Sequence, residues 1–210
     1  DTLTALGNLA LALGVLGRDA EAEPLQRREL EASERVLGPE HTDTLTALGN
    51  LALTLHALGP DAEAELLQRR RLEASERALG PEHPDTLISL GNLAGTLRAL
   101  GRAAEAEPLH RRESEASERA LGPEHSDTLM SLGNLAETLR ALGRAAEAEP
   151  LQRRELEASE RVLGPEHTDT LTALGNLALA LGVLGRDAEA EPLQRRKLEA
   201  SERALGPEHP

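Results

Sequence analysis

The chain is one 42-residue unit written five times, opening at Asp1, Asp43, Asp85, Asp127 and Asp169. A period of this length marks a repeat array, in which each unit is a supersecondary element that buries its apolar face on the next. The first unit reads DTLTALGNLALALGVLGRDAEAEPLQRRELEASERVLGPEHT, and the fifth differs from it only at Lys197, Ala204 and Pro210. Twenty-eight of the 42 positions are identical in all five units. Nearly every side chain therefore recurs at a fixed interval, which leaves no set of unlike residues from which to assemble one catalytic site. No enzymatic activity, cofactor or metal is expected, and residues 1–210 read as a single array of repeats 1–42, 43–84, 85–126, 127–168 and 169–210.

Two helices fit each unit. Leucine or alanine at Leu3, Leu6, Leu9, Ala10, Leu13 and Leu16 has helical spacing, and Gly17 supplies the stop. A second apolar face, Ala22, Leu25, Leu30, Ala32 and Leu37, predicts a helix over about 20–37 that closes at Gly38-Pro39. Its other face alternates acids and bases at Glu23, Arg27, Glu31 and Arg35, each exposed pair contributing ~0.2–0.5 kcal/mol. Glu21 and Glu23 point in different directions on such a helix and form no acid–base pair. The fold class is all-α, with ten helices in antiparallel pairs, and without Phe, Tyr or Trp its core rests on leucine and alanine.

The net charge of −14 runs from −4 in the first unit to −2 in the fifth, with no charged tail. Nucleic acid and anionic membranes need clustered Lys and Arg, so neither is an expected partner. No apolar run approaches the ~20 residues of a membrane span. The absence of cysteine suits a reducing compartment, so a cytoplasmic location is the expectation. The chain opens without Met, as an excised piece of a longer array would.

The segment GRDAEAEPLQRRELEASERVLGPEHTDTLTALGNLA resembles the long tetratricopeptide repeats of kinesin light chains and of bacterial proteins joined to NB-ARC-type ATPase domains. The resemblance spans all 210 residues and is carried by EAEPL, the LGPEH loop and LGNLA together. It implies a right-handed superhelical α-solenoid whose inner groove binds peptides. Two positions depart from the family pattern. Position 19, usually a large aromatic, holds Asp19, Asp61, Ala103, Ala145 and Asp187, while position 29, usually alanine, holds Glu29, Arg71, Glu113, Glu155 and Lys197. In addition, Ser114 replaces a leucine present in the other four units, which marks repeat three as the weak link.

On a helical wheel, variable positions 4, 11, 12, 14 and 15 fall together, opposite the invariant apolar arc of the first helix. Resemblance places that stripe in the groove. Within it stands one invariant polar residue, Asn8, Asn50, Asn92, Asn134 and Asn176. An amide donates and accepts, so the column can hold an extended peptide backbone, as matching asparagines do in related arrays, or can bond the neighbouring repeat's backbone. Position 14 reads Gly14, His56, Arg98, Arg140 and Gly182, making the middle basic and pointing to an acidic peptide. Surface drift explains the same residues. The recurring His41, His83, His125, His167 and His209 each sit in a separate loop, too far apart to share an ion, and are expected to structure the helix start.

These observations point to a noncatalytic scaffold for protein–protein interaction that binds a protein or peptide ligand. One alternative is an array that stacks end to end into a homo-oligomer, because no polar caps protect the terminal repeats, with Leu3 and Leu205 as residues where added charge would interfere. Another is the sensor arm of a larger signalling ATPase, although no phosphate-binding glycine loop occurs in these 210 residues.

Overall fold

In the computed structural model the described residues are 2–59 and 61–205, with side chains through Arg203. The described residues form ten α-helices and no strand. They are α1 (Thr2–Val15), α2 (Asp19–Val36), α3 (Thr42–Leu58), α4 (Asp61–Leu79), α5 (Pro84–Ala99), α6 (Ala103–Leu121), α7 (Ser126–Ala141), α8 (Ala145–Val162), α9 (Thr168–Val183) and α10 (Asp187–Leu205). Each repeat supplies two, as its hydrophobic spacing predicts, and the result is an all-α array of helix-turn-helix repeats. The chain divides into two compact units, Asp1–Arg102 with α1–α5 and Ala103–Pro210 with α6–α10.

Inside each unit every helix packs on its chain neighbours. In the first, Leu45, Leu48, Leu51 and Leu55 of α3 meet Leu30 of α2 and Ala64 and Ala74 of α4. The second repeats this arrangement with Leu174, Leu177 and Leu181 of α9 against Leu156 and Ala190. Being held from both sides matters: Leu51 is 1% exposed, whereas Leu9, its equivalent on α1, is 52% exposed because α1 packs chiefly on α2. The same double coverage corrects the position of the variable stripe. Thr54, Thr96 and Thr138, at position 12, are buried, because the helix before and the helix after together cover a wider arc than one amphipathic stripe.

The loops close as their residues dictate. Gly38, Gly80, Gly122 and Gly164 take φ of 91–95°, the left-handed conformation that ends the second helix of each pair. Six residues after three of these glycines, the threonine of the next helix reaches back: Thr44, Thr86 and Thr170 Oγ1 donate to the carbonyls of Gly38, Gly80 and Gly164 at 2.8 Å. His41, His83, His125 and His167 are N-caps whose Nδ1 accepts the backbone N–H of Asp43, Asp85, Asp127 and Asp169 at 3.2 Å. His209, Asp1 and the side chain of Leu205 lie outside the described residues.

Candidate functional site

The site begins with an oddity of helix chemistry. Glycine costs ~1 kcal/mol in a helix interior, yet every first helix carries one at position 7. The position-29 side chain explains it. A Cβ on Gly133 would lie 2.7 Å from Glu155 Oε1, and one on Gly49 would lie 2.7 Å from an Arg71 guanidinium nitrogen. The glycine is the bare patch over which a charged chain from the second helix extends toward the start of the next repeat.

There it meets an aspartate. Burial pushes the Glu155 carboxyl up to about 7, with the charges of Glu137 and Asp169 adding to the effect. Glu113 is pushed to about 8, first by burial and then by Asp127, and Glu29 rises in the same sense beside Asp43. Arg71 is the opposite case, lowered by burial and opposed by Asp85. Glu29, Glu113 and Glu155 each keep a buried Oε2, and Arg71 a buried Nε, that meets no hydrogen-bond partner.

Two grooves open along these positions. In the first unit a groove of about 400 Å³ is lined by Asn8 and Asn50 together with Gly7, Glu29, Asp43 and Leu11. In the second unit a groove of about 280 Å³ is lined by Asn134 and Asn176 with Gly133, Glu137, Glu155, Asp127, Asp169 and Met130. Consecutive members of the asparagine column thus share a groove in each unit, and Asn92 lies half-buried on α5. Among the described residues, no hydrogen bond ties the five asparagine side chains to the rest of the chain.

Position 14 sits elsewhere. His56 Nδ1 lies 2.7 Å from Asp61 Oδ1, at the turn joining the two helices of its repeat, and neither groove lining includes His56, Arg98 or Arg140. Arg98 and Arg140 are half-buried on the last turns of α5 and α7. The charged residues that do line the grooves come from positions 1 and 29, with Glu137 from position 11. Position 29 stood out in the sequence as a departure from the family pattern; the signal of its role was the pairing of a charged, variable position with an invariant helical glycine. Among the described residues no group of His, Asp and Glu is placed to hold a metal ion, and no helix is long and apolar enough to cross a membrane.

A family model for the tetratricopeptide repeat matches residues 1–77, 62–119, 86–158 and 127–203. The chain belongs to the tetratricopeptide repeat family. Repeats of this family mediate protein–protein interaction, and arrays like this one are characteristically scaffolds rather than catalysts. Among solved structures, a kinesin light chain-type protein of Podosopora anserina with nearly identical TPR-like repeats is 27% identical, with a TM-score of 0.85 over 97% of this chain and 96% of that one. BtubC from P. vanneervenii shares the fold at 19% identity, with a TM-score of 0.83 over 98% of this chain and 81% of its own. So does the apo form of RapI, at 12% identity and a TM-score of 0.84 over 96% of this chain and 71% of its own. No curated protein sequence matches the chain.

Proposed function

We propose that this tetratricopeptide array is a noncatalytic scaffold that holds an extended segment of a partner protein along its first helices, with the asparagine column bonding the segment's backbone. The observation that carries the proposal is the asparagines themselves: Asn8, Asn50, Asn134 and Asn176 line open grooves, and among the described residues no side chain of the column bonds its own chain. An amide that stabilised the stacking of repeats would spend its hydrogen bonds inside the protein. Asn134→Ala combined with Asn176→Ala is therefore expected to weaken peptide capture about tenfold while leaving the melting temperature unchanged. A drop in melting temperature with unchanged capture would assign the column to structure instead.

Arg98 and Arg140 favour an acidic segment wherever a ligand reaches the ends of α5 and α7. Replacing both with alanine is expected to weaken that contact alone, and unchanged capture of an acidic peptide would remove it. A second reading, end-to-end stacking of copies, draws on the terminal helices: Leu9 and Leu198 are 52% and 58% exposed, while their interior equivalents Leu51 and Leu72 are 1% and 8% exposed. Light scattering across a concentration series tests it, a constant mass being the outcome that sinks it.

A further inference from the structure

We infer that a second copy of this chain docks on the array, with α1 of one copy taking, against α10 of the other, the place that α9 holds against α8. The inference rests on the stacking reading above, to which it gives an order and a register, and it is independent of peptide capture. Residues 2–15 and 170–183 are the same fourteen residues, TLTALGNLALALGV. In α9 one face of that sequence, Thr170, Ala173, Leu177 and Ala180, is 0–2% exposed, with α8 packed on the helix. In α1 the same face, Thr2, Ala5, Leu9 and Ala12, is exposed. A surface that buries itself wherever a second helix precedes it therefore stands open on the first repeat.

Helix α10 carries the matching surface. From residue 187 to residue 204 it repeats α8 except that Asp187, Lys197 and Ala204 replace Ala145, Glu155 and Val162. Leu156 of α8 packs among the leucines of α9 at 7% exposure, and Gln152, one turn before it, is fully buried. Their equivalents Leu198 and Gln194 are both exposed, Leu198 to 58%. A pair of helices that meets inside the chain thus recurs unpaired, one half on the first repeat and the other on the fifth. Each copy offers one face of each kind, so the contact between copies is heterologous.

Ion pairs between successive second helices supply the register. The glutamate at position 34 of one repeat pairs with the arginine at position 28 of the next: Glu34 with Arg70 at 2.6 Å, and Glu118 with Arg154 and Glu160 with Arg196 at 2.5 Å. The ladder stops with opposite signs on the two open faces, because among the described residues neither Arg28 of α2 nor Glu202 of α10 has an ion partner. A copy docked as α9 docks on α8 brings Arg28 to Glu202 and lays Leu198 on the α1 face. A second copy therefore meets both surfaces residue for residue, apolar against apolar and arginine against glutamate.

The experiment follows the mass of the whole chain by light scattering. Wild type should rise with concentration above the 22.4 kDa of one chain. Leu9→Glu and Leu198→Glu, both at exposed sites and both expected to keep wild-type helicity by circular dichroism, should each remain at one chain. An equal mixture of the two should form a complex of two chains and no larger, because it contains one intact α1 face and one intact α10 face. Adding Glu202→Arg to the Leu9→Glu chain should weaken that complex about threefold, as loss of an exposed ion pair does, and Arg28→Glu in its partner should restore it. A wild-type mass constant at every concentration removes the stacking reading and this joint together. Association of either single variant alone means that like faces pair, which keeps stacking and overturns the α10–α1 order. The joint is also overturned if the mixture fails to associate while wild type does, and its register is overturned if Glu202→Arg leaves the affinity of the complex unchanged.

Discussion

Helices α4 and α6 occupy the same place in successive repeats and differ at two adjacent residues that matter most: Arg71-Leu72 in one, Glu113-Ser114 in the other. In α4 the guanidinium runs over a glycine toward an aspartate of opposite charge, and Leu72, 8% exposed, fills the interior behind it. In α6 a carboxyl runs toward an aspartate of like charge, and Ser114, 5% exposed, stands where leucine does elsewhere. The backbone tolerates either charge because position 7 has no side chain to displace. What changes is the local free energy and the electrostatic character of the surface. Helix α8 separates the two variables, since it combines the acidic Glu155 with Leu156, 7% exposed.

The largest effect expected from that contrast is at Ser114. Deleting a buried leucine costs ~2–5 kcal/mol, so Ser114→Leu, at a site where three described repeats already bury leucine, should stabilise the chain by about 2 kcal/mol in urea unfolding. Amide exchange should show the gain in α6 and α7, the two helices that meet there. If stability does not rise, the buried His110 and Glu113 have already taken up the space.

Next comes pH. Glu113 and Glu155 have folded pKa values above the ordinary glutamate value near 4.5, so the folded chain binds more protons than the unfolded chain from there to about 8 and about 7. Their contribution is complete below about pH 4.5 and is lost as pH rises through 7 and 8. The paired carboxylates act in the other direction: Arg154 holds Glu118 down and Arg186 holds Glu189 down, so those contributions fade only in acid. The melting temperature should therefore fall from pH 5 to pH 8. Glu113→Gln with Glu155→Gln should flatten the slope, whereas Arg71→Glu, which gives repeat two the acidic arrangement, should steepen it. A wild-type profile that is flat across this window would mean that neither carboxyl is desolvated.

Much of this was legible in the sequence, and the part that was not has a definite cause. The 3.6-residue spacing of Leu3, Leu6, Leu9, Ala10 and Leu13 and the stops at Gly17 and Gly38 locate both helices of a repeat to within a residue or two. The asparagine column was visible because it alone stays polar and invariant on a variable face. Burial of Thr54, Thr96 and Thr138 was not visible, because a wheel drawn for one helix cannot show that a neighbouring repeat covers its other side. Nor was the path of the position-29 side chain, which depends on Gly133 lying across from Glu155 in a different helix. Sequence spacing orders residues along one helix, whereas the groove's charge is set between helices.

That cross-helix contact predicts an effect of about 1 kcal/mol that depends on context. In an otherwise unchanged chain, Gly133→Ala trades a helix-propensity gain of about that size against displacement of the Glu155 carboxyl. In a chain already carrying Glu155→Ala the obstacle is gone, and the same change should give the full gain. A double-mutant cycle measures the difference directly, and additive effects would show that the carboxyl does not rest on Gly133.

The smallest effect separates two copies of one polar contact. Buried His110 Nδ1 lies 2.8 Å from Thr138 Oγ1, linking position 26 of one repeat to position 12 of the next. One repeat later the residues are Gln152 and Ala180, both buried, and neither the amide oxygen nor the amide nitrogen of Gln152 has a partner. Repeat five has no hydroxyl at this position, whereas repeats two, three and four carry threonine there; opposite Thr54 and Thr96 the Gln26 and Gln68 Oε1 atoms stay unpartnered, so a new threonine serves Gln152 only if it turns toward the amide. Ala180→Thr should restore a hydrogen bond and raise stability by ~0.5–1.5 kcal/mol. The gain should disappear when Gln152 is also changed to leucine, because the added hydroxyl could still donate to the carbonyl four residues back, as Thr138 does to Asn134 at 2.9 Å, but would have no amide to serve. A gain that survives in the double variant would come from packing by the threonine methyl, and the unpaired amide of Gln152 would not be what distinguishes the fourth repeat from the third.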